Sequence, residues 1–215
     1  MNLKRESAHK NIVFPKGITD LILASSSEYR ASLLLRLKLP FKALAPDIDE
    51  TRLPGENPKI MVQRLAREKA EIIAESHRSS LIIGCDQVAV LNEQILGKPG
   101  NYSRAVNQLE EISGNTLVFV TSVCLVNSST GRIAERRSET TVIFKKLTSD
   151  QITDYLHKEE PYNCAGSFKS EGLGIALVKS IECQDSSSII GLPLIDLCDL
   201  LYEEGVSVLG IPSPN

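Results

Sequence analysis

The side chains of this sequence that could do chemistry are a set of cations and carboxylates that contains no histidine. Asp86 is the most informative of them, because it is a single acid within the apolar run LIIGCDQVAV at residues 81–90. Desolvating a carboxylate is costly unless a cation or hydrogen-bond donors compensate, so Asp86 needs a partner. The other candidates are the cations Arg30, Lys69, Lys98 and Lys169 and the acids Glu50 and Glu171.

Residues of these types suit phosphate chemistry. Arg and Lys neutralise phosphate oxygens, carboxylates hold a hard cation that bridges those oxygens, and a carboxylate positions the attacking water. His9, His77 and His157 lie in a tail, a helix end and an amphipathic helix, so a Ser-His-Asp triad or a histidine zinc site is poorly supported. Each segment taken alone also has a plainer interpretation, such as a turn aspartate, a surface lysine or a solvated acidic loop.

Length and composition narrow the classes of protein. The 215 residues suit one domain, or a domain of two lobes. A net charge of -3 gives the chain no overall positive charge that would attract a nucleic-acid polymer. A small anionic ligand is therefore favoured. The five cysteines are odd in number and widely spaced, which predicts reduced thiols in a cytoplasmic protein. No apolar stretch approaches the roughly 18 residues of a membrane span.

A strand, a serine-rich turn and a helix open the predicted fold. Residues 21–24 are a short apolar strand, residues 25–27 are three serines, and a helix follows to about residue 38. Backbone amides at such a helix N-terminus, together with the serine hydroxyls and the cation of Arg30, form a site suited to phosphate. The alternative is a simple serine N-cap beside a surface arginine.

The rest of the chain alternates strands and helices. Lys69 lies on one of the helices, Lys98 lies in the rigid turn GKP, and an extended backbone would place Lys169 and Glu171 on one face. Asp86 is expected at the end, or at a bulge, of a buried strand. The pattern predicts an α/β domain with a mixed sheet. Its further elements are a strand at 41–44, helices at 58–76, 102–112, 149–158 and 189–202, and a hairpin of 117–126 with 133–144.

Seven segments, taken in chain order, resemble the Maf family of nucleotide pyrophosphatases: LILASSSEYR, DIDET, REKA, IIGCDQVAV, GKP, SGN and CAGSFKSEGLG. The similarity covers residues 21–209 and leaves residues 1–20 as a flexible N-terminal extension and 210–215 as a C-terminal tail. It implies an elongated two-lobed α/β domain with a long mixed sheet and a central cleft, similar to inosine triphosphate pyrophosphatases. The implied reaction is hydrolysis of a nucleoside triphosphate to its monophosphate and pyrophosphate with Mg²⁺ or Mn²⁺.

The resemblance also implies roles for individual residues. Asp86 would be the proton acceptor that activates water, and Glu50 and Asp86 would be the metal-associated carboxylates. A homodimer is suggested, without a nucleic-acid or membrane partner. The implied phosphate-binding residues are Ser25, Arg30, Lys69, Lys98 and Lys169.

Three positions make the chain most similar to the branch of the family that acts on 7-methyl-GTP: Tyr29, Gln87 and Glu171. Guanine methylated at its seventh position is cationic, so stacking on Tyr29 would gain roughly 0.5–2 kcal/mol. Glu171 could accept hydrogen bonds from the edge of the base. Two other functions stay open, namely hydrolysis of dTTP and UTP by the same family and nucleotide sensing in cell-division control without turnover. Tyr29 packing on a helix and Glu171 pairing with Lys169 are the plainer alternatives.

Overall fold

A seven-stranded mixed sheet with helices on both faces forms the protein in the computed structural model, which describes residues 14–209. The strands are β1 Asp20–Ala24, β2 Lys42–Leu44, β3 Ser80–Leu91, β4 Gln94–Leu96, β5 Thr116–Asn127, β6 Arg132–Phe144 and β7 Val178–Glu182. The helices are α1 Glu28–Leu35, α2 Pro58–Ala74, α3 Tyr102–Ile112, α4 Ser149–Glu159 and α5 Leu194–Glu203. Short 3₁₀ turns occupy Ala165–Ser167, Leu173–Leu177 and Ser188–Ile190.

The sheet follows the order β2-β1-β3-β5-β6-β7, and β4 pairs with β3 outside this path. β1 is parallel to β2 and β3, whereas β3, β5, β6 and β7 pair antiparallel in turn. The predicted α/β class with a long mixed sheet is therefore confirmed, and so is the hairpin of β5 and β6.

Side chains alternate between the two faces of the sheet along β3 and its neighbours, so apolar residues form core clusters on both faces. The clusters also differ between the two ends of the long strands. Leu81, Ile83 and Cys85 point to the face covered by α1 and α5, whereas Ile82 points to the face covered by α2. A separate cluster around Phe144 packs α3 and α4 at the far end of the long strands. The two ends thus form two lobes, in agreement with the expected organisation.

The edge of β3 that faces β1 is where the two lobes meet. β1 pairs with residues 80–84 of β3, and β4 pairs with residues 89–91 on the same edge, because β5 occupies the opposite edge along both stretches. Residues 85–88 lie in the interval between β1 and β4. Asp86 and Gln87 are therefore placed where the sheet opens toward the cleft.

Helix α2 lies unusually close to β3 at Gly84. A Cβ atom on Gly84 would lie 1.9 Å from the carbonyl oxygen of Ala66 and 2.9 Å from the backbone nitrogen of Ala70. Only glycine permits this approach, which brings Lys69 of the same helix turn to the strand. Gly84 thus sets the distance between α2 and the acid two residues further along β3.

Several predicted boundaries are wrong by a few residues. α1 ends at Leu35 and α2 at Ala74, where short turns begin. The predicted helix 189–202 starts only at Leu194, because Gly191 has a φ of +124° and Pro193 has no backbone donor to continue a helix.

The chain ends fall partly outside the described residues. Residues 1–13 and 210–215, which include most of the predicted extension and the whole predicted tail, are not part of residues 14–209. Within the described part of the predicted extension, Ile18 is buried against the core that contains Leu21. No helix in residues 14–209 is long and apolar enough to cross a membrane.

The contact at Gly84 predicts a large cost for adding one methyl group. Gly84→Ala should lower the free energy of unfolding by about 1–3 kcal/mol, because the clash is with helix backbone and not with a flexible side chain. Urea denaturation measures the change. Gly97→Ala is the matched control, since nothing lies within 4 Å of a Cβ built there. An equal effect of the two substitutions would contradict the proposed close packing.

Candidate active site

Asp86 lies in the middle of β3, and the prediction that it would end the strand or form a bulge is wrong. The register with β5 runs without a shift from Leu81 to Val90, and Asp86 is opposite Ser122. The residue is 6% exposed, and its side chain points to the same face as Gly84. A buried carboxylate in a continuous strand makes the need for a compensating cation stronger than the sequence alone indicated.

The compensating cation is Lys69. Its Nζ donates a hydrogen bond to Asp86 Oδ1 at 2.7 Å and lies 2.9 Å from Glu50 Oε1. Lys69 is itself buried at 5% exposure, although it extends from a helix whose charges would normally be solvated. One ammonium thus joins two carboxylates from different parts of the chain.

Two opposed effects act on the pKa of Asp86. Burial raises the pKa above its ordinary value and is the larger effect, while the charges of Lys69 and Arg30 and the hydrogen bond from Lys69 lower it. A carboxylate whose pKa is raised is a better proton acceptor than an exposed aspartate. The hydrogen bond to Lys69 occupies Oδ1, which leaves Oδ2 for a water or a substrate.

The serine-rich turn between β1 and α1 forms another wall of the site. Ser27 caps α1 by accepting from the backbone nitrogen of Arg30 at 3.4 Å, and Ser25 accepts from the nitrogen of Ser27 at 3.1 Å. The serine N-cap considered from the sequence is present, and the same turn also lines the cavity, so the two interpretations of this segment are compatible.

Arg30 is held by a carbonyl group that the sequence did not point to. Its Nε donates to the carbonyl oxygen of Gly191 at 2.9 Å, and the thiol of Cys85 contacts the same oxygen at 2.9 Å. Burial raises the pKa of Cys85 to about 11, so the thiol stays protonated and can donate this bond. Gly191 lies 161 residues from Arg30, and no local pattern signals such a contact.

A cavity of about 660 Å³ is lined by most of the predicted site residues. It lies between the serine-rich turn, the middle of β3, the loop after β4 and the segment around Asn163. Sequence reasoning missed Asn163, because a single polar residue in a loop carries no chemical signal. The predicted residues on the cavity wall are Ser25, Tyr29, Arg30, Glu50, Lys69, Asp86, Gln87 and Lys98.

Lys169 and Glu171 are not part of the cavity wall, and the extended backbone predicted for them is wrong. The nitrogen of Gly172 donates to the carbonyl oxygen of Lys169 at 3.3 Å, which closes a turn. Lys169 pairs with Glu159 at 2.8 Å. The pKa of Tyr29 is raised, first by burial and then by Cys164, and the charge of Glu171 adds a smaller effect in the same direction.

Gln87 points to the face of β3 opposite to that of Asp86. Its amide nitrogen donates to the carbonyl oxygen of Ser188 at 2.7 Å, to that of Ile189 at 3.2 Å and to Thr121 Oγ1 at 2.8 Å. The nitrogen is therefore used by the protein, and Oε1 is the atom of Gln87 available to a ligand.

The two predicted metal ligands, Glu50 and Asp86, fit a divalent cation that takes its other ligands from water and from the substrate. Their oxygens converge on one cation, the Lys69 ammonium. Asp49, close by in sequence, caps the nitrogen of Thr51 at 2.9 Å. Residues 14–209 contain no group of three or more His, Cys, Asp or Glu side chains able to hold a metal. Mg²⁺ commonly binds one or two carboxylates and completes its shell with water and phosphate oxygens.

Comparison with known proteins gives a consistent result. The family model described as Maf-like protein matches residues 20–204. A 7-methyl-GTP pyrophosphatase of Pseudomonas syringae pv. syringae is 55% identical over 188 residues, which are 87% of this chain and 98% of the relative. Proteins of the same name from Nitrosococcus oceani and Thiobacillus denitrificans are 52% and 50% identical, over 88% and 90% of this chain and 95% and 96% of the relatives.

The buried pair predicts how stability responds when its cation is removed. Lys69→Met should lower the free energy of unfolding at pH 8 by about 3 kcal/mol, because Asp86 is left buried without its partner. Without Lys69, burial still raises the pKa of Asp86 as the largest effect, Glu50 adds to the rise, and only the charge of Arg30 opposes it, so the pKa in the folded chain lies above that in the unfolded chain. A carboxyl of this kind stabilises the folded state as the pH falls, so the deficit should shrink at pH 5.

Urea denaturation at the two pH values measures this, with Lys59→Met as the control. Lys59 lies on the same helix but forms an exposed pair with Glu139, so its loss should cost less than about 1 kcal/mol at either pH. A deficit of Lys69→Met that does not depend on pH would show that Asp86 is not the group left unpaired.

Proposed function

The chain belongs to the Maf family, and from this premise we propose that it hydrolyses 7-methyl-GTP to 7-methyl-GMP and pyrophosphate. One observation carries the proposal: the chain is 50–55% identical in sequence to relatives named 7-methyl-GTP pyrophosphatase, over nearly their whole length. The cavity supports it, because a buried carboxylate lies beside a wall of cations and helix-end amides.

In this proposal Asp86 is the general base. Oδ2 accepts a proton from water, the water oxygen forms a bond with the α-phosphorus, and the bond from that phosphorus to the bridging oxygen breaks. Pyrophosphate leaves with the electrons of that bond. Lys69 helps to keep Asp86 ionised before the reaction and, because it also lines the cavity, would stabilise the charge that develops on the phosphate oxygens.

The triphosphate is held on the wall formed by α1 and the loop after β4. The serine-rich turn supplies the amides and hydroxyls of a helix N-terminus, and Arg30 and Lys98 supply positive charge. Lys169 pairs with Glu159 outside the cavity wall, so we assign it a minor role at the rim of the site. A divalent cation held by Glu50 and Asp86 would neutralise phosphate oxygens and orient them for attack.

The base is chosen at the mouth of the cavity. Tyr29 is 36% exposed on the cavity wall, and Glu171 is within electrostatic range of it. A 7-methylguanine cation would stack on the ring and be attracted by the carboxylate, whereas unmethylated guanine would lose the cationic part of both contacts. The free Oε1 of Gln87 is available to accept a hydrogen bond from the nucleotide.

We also infer a reducing compartment, the cytoplasm, from the cysteines. All five are free thiols, and Cys85 and Cys124 are buried in the core. Unpaired cysteines in this number are typical of proteins kept reduced by the cell.

A nucleotide panel tests the proposal. The purified protein, assayed with Mg²⁺ or Mn²⁺ for pyrophosphate release, should give the highest kcat/KM with 7-methyl-GTP among 7-methyl-GTP, GTP, UTP and dTTP. Preference for UTP and dTTP would support the other branch of the family. Tight nucleotide binding without pyrophosphate release would support the sensing function and contradict the proposal.

Tyr29→Ala tests the selection of the base in the same nucleotide panel. It should lower kcat/KM for 7-methyl-GTP by about 2- to 30-fold relative to GTP, because the cation-π contribution is lost only with the methylated base. Tyr102→Ala is the matched variant, since Tyr102 is equally exposed at 36% but stacks on His157 away from the cavity. An equal loss with both nucleotides in Tyr29→Ala would exclude Tyr29 from base selection.

A further inference from the structure

Glu50 reaches the site from a segment that has no regular structure. Residues 45–57 contain neither helix nor strand between β2 and α2. The Glu50 side chain is 60% exposed, and its carboxylate touches the site through Lys69 Nζ at 2.9 Å. A long, exposed side chain on such a segment has high conformational entropy, so its position in the site requires that the backbone beside it be anchored.

Glu56 and Arg64 provide an anchor, here called the Glu56–Arg64 clamp. The side chain of Glu56 is 5% exposed, and Arg64 donates to both of its oxygens, from Nε at 2.7 Å and from Nη2 at 2.9 Å. The nitrogen of Leu53 donates to the same carboxylate at 3.0 Å. Bidentate arginine–carboxylate pairs fix orientation as well as distance.

The clamp extends to the residue next to Glu50. Arg64 Nη2 also donates to the carbonyl oxygen of Thr51 at 3.2 Å, and Arg64 Nη1 donates to Glu68 at 3.0 Å. Because Arg64 and Lys69 belong to the same helix, the backbone at Thr51 is tied to the element that carries the Lys69 ammonium. The clamp thereby ties the segment that carries Glu50 to the helix that carries Lys69.

We propose that Glu56 and Arg64 are positioning residues for the reaction, because they hold Glu50 against Lys69 and Asp86. The proposal rests on the proposed function in one respect, the use of Glu50 in the site. Neither Glu56 nor Arg64 lines the cavity, so they act through Glu50 and not on the nucleotide. The hydrogen bonds from Arg64 hold the pKa of Glu56 at about 2, which keeps the clamp charged under any ordinary assay condition.

A double-mutant cycle separates positioning from general support of the fold. Glu56→Gln keeps the shape of the side chain and removes its charge, and it should lower kcat/KM about tenfold, the same loss that we expect of Glu50→Gln. The double variant should be no worse than Glu50→Gln alone, because the clamp has nothing left to position. Losses that multiply in the double variant would overturn the proposal.

Amide hydrogen exchange supplies a readout that needs no turnover, so it separates failure of this inference from failure of the proposed function. Residues 47–56 should exchange faster in Glu56→Gln than in the wild-type chain. Asp154→Asn is the control, because it removes an exposed pair with Lys158 elsewhere and should leave this segment unchanged. A wild type that does not hydrolyse 7-methyl-GTP would contradict the proposed function, and the exchange comparison would still decide on the clamp.

Arg64→Lys covers the case in which Glu56→Gln fails to fold. It keeps the charge but cannot reproduce the arginine contacts with both oxygens of Glu56 and the carbonyl of Thr51, since the three donors of lysine lie on one nitrogen. We expect faster exchange of residues 47–56 and a several-fold lower kcat/KM, with a thermal midpoint close to that of the wild type. Unchanged exchange of this segment in Arg64→Lys would overturn the inference.

Discussion

The contact between Asp86 and Lys69 is the interaction on which the rest of the site depends. Both groups are buried, and neither would be tolerated at its position without the other. Their meeting requires that α2 lie close to β3, which the missing side chain of Gly84 permits. The stabilising contact in the core and the acid–base chemistry proposed for the cleft thus have the same structural cause.

The sheet determines where this pair faces the substrate. β1 ends before Asp86 and β4 begins after it, so the middle of β3 is open to the cleft between the lobes. The end of β1 leads directly into the serine-rich turn and α1, whose first residues line the same cavity as Asp86. Because Asp86 and Gln87 point to opposite faces of the strand, Asp86 meets Lys69 of α2, whereas Gln87 binds the carbonyl groups of Ser188 and Ile189 in the turn that also holds Arg30.

Much of this arrangement could be predicted from the sequence, and the failures have physical reasons. The apolar periodicity predicted the strands and helices, and the single acid in LIIGCDQVAV predicted a buried charge that needs a partner. The sequence pointed to Lys69 as a phosphate ligand, but its direct contact with Asp86 depends on how closely a helix and a strand pack. The carbonyl of Gly191 and the turn at Lys169 arise from tertiary contacts and a tight glycine turn, which the local pattern did not specify.

The role of Asp86 as the base is tested most directly by Asp86→Asn in a single-turnover assay of 7-methyl-GTP hydrolysis, combined with a measurement of nucleotide binding. Asparagine preserves the shape of the side chain but cannot take up the proton of water. The rate should fall by about 10²- to 10⁴-fold while binding is retained, because general-base catalysis contributes a factor of this size. Hydrolysis by Asp86→Asn at the wild-type rate would contradict the account.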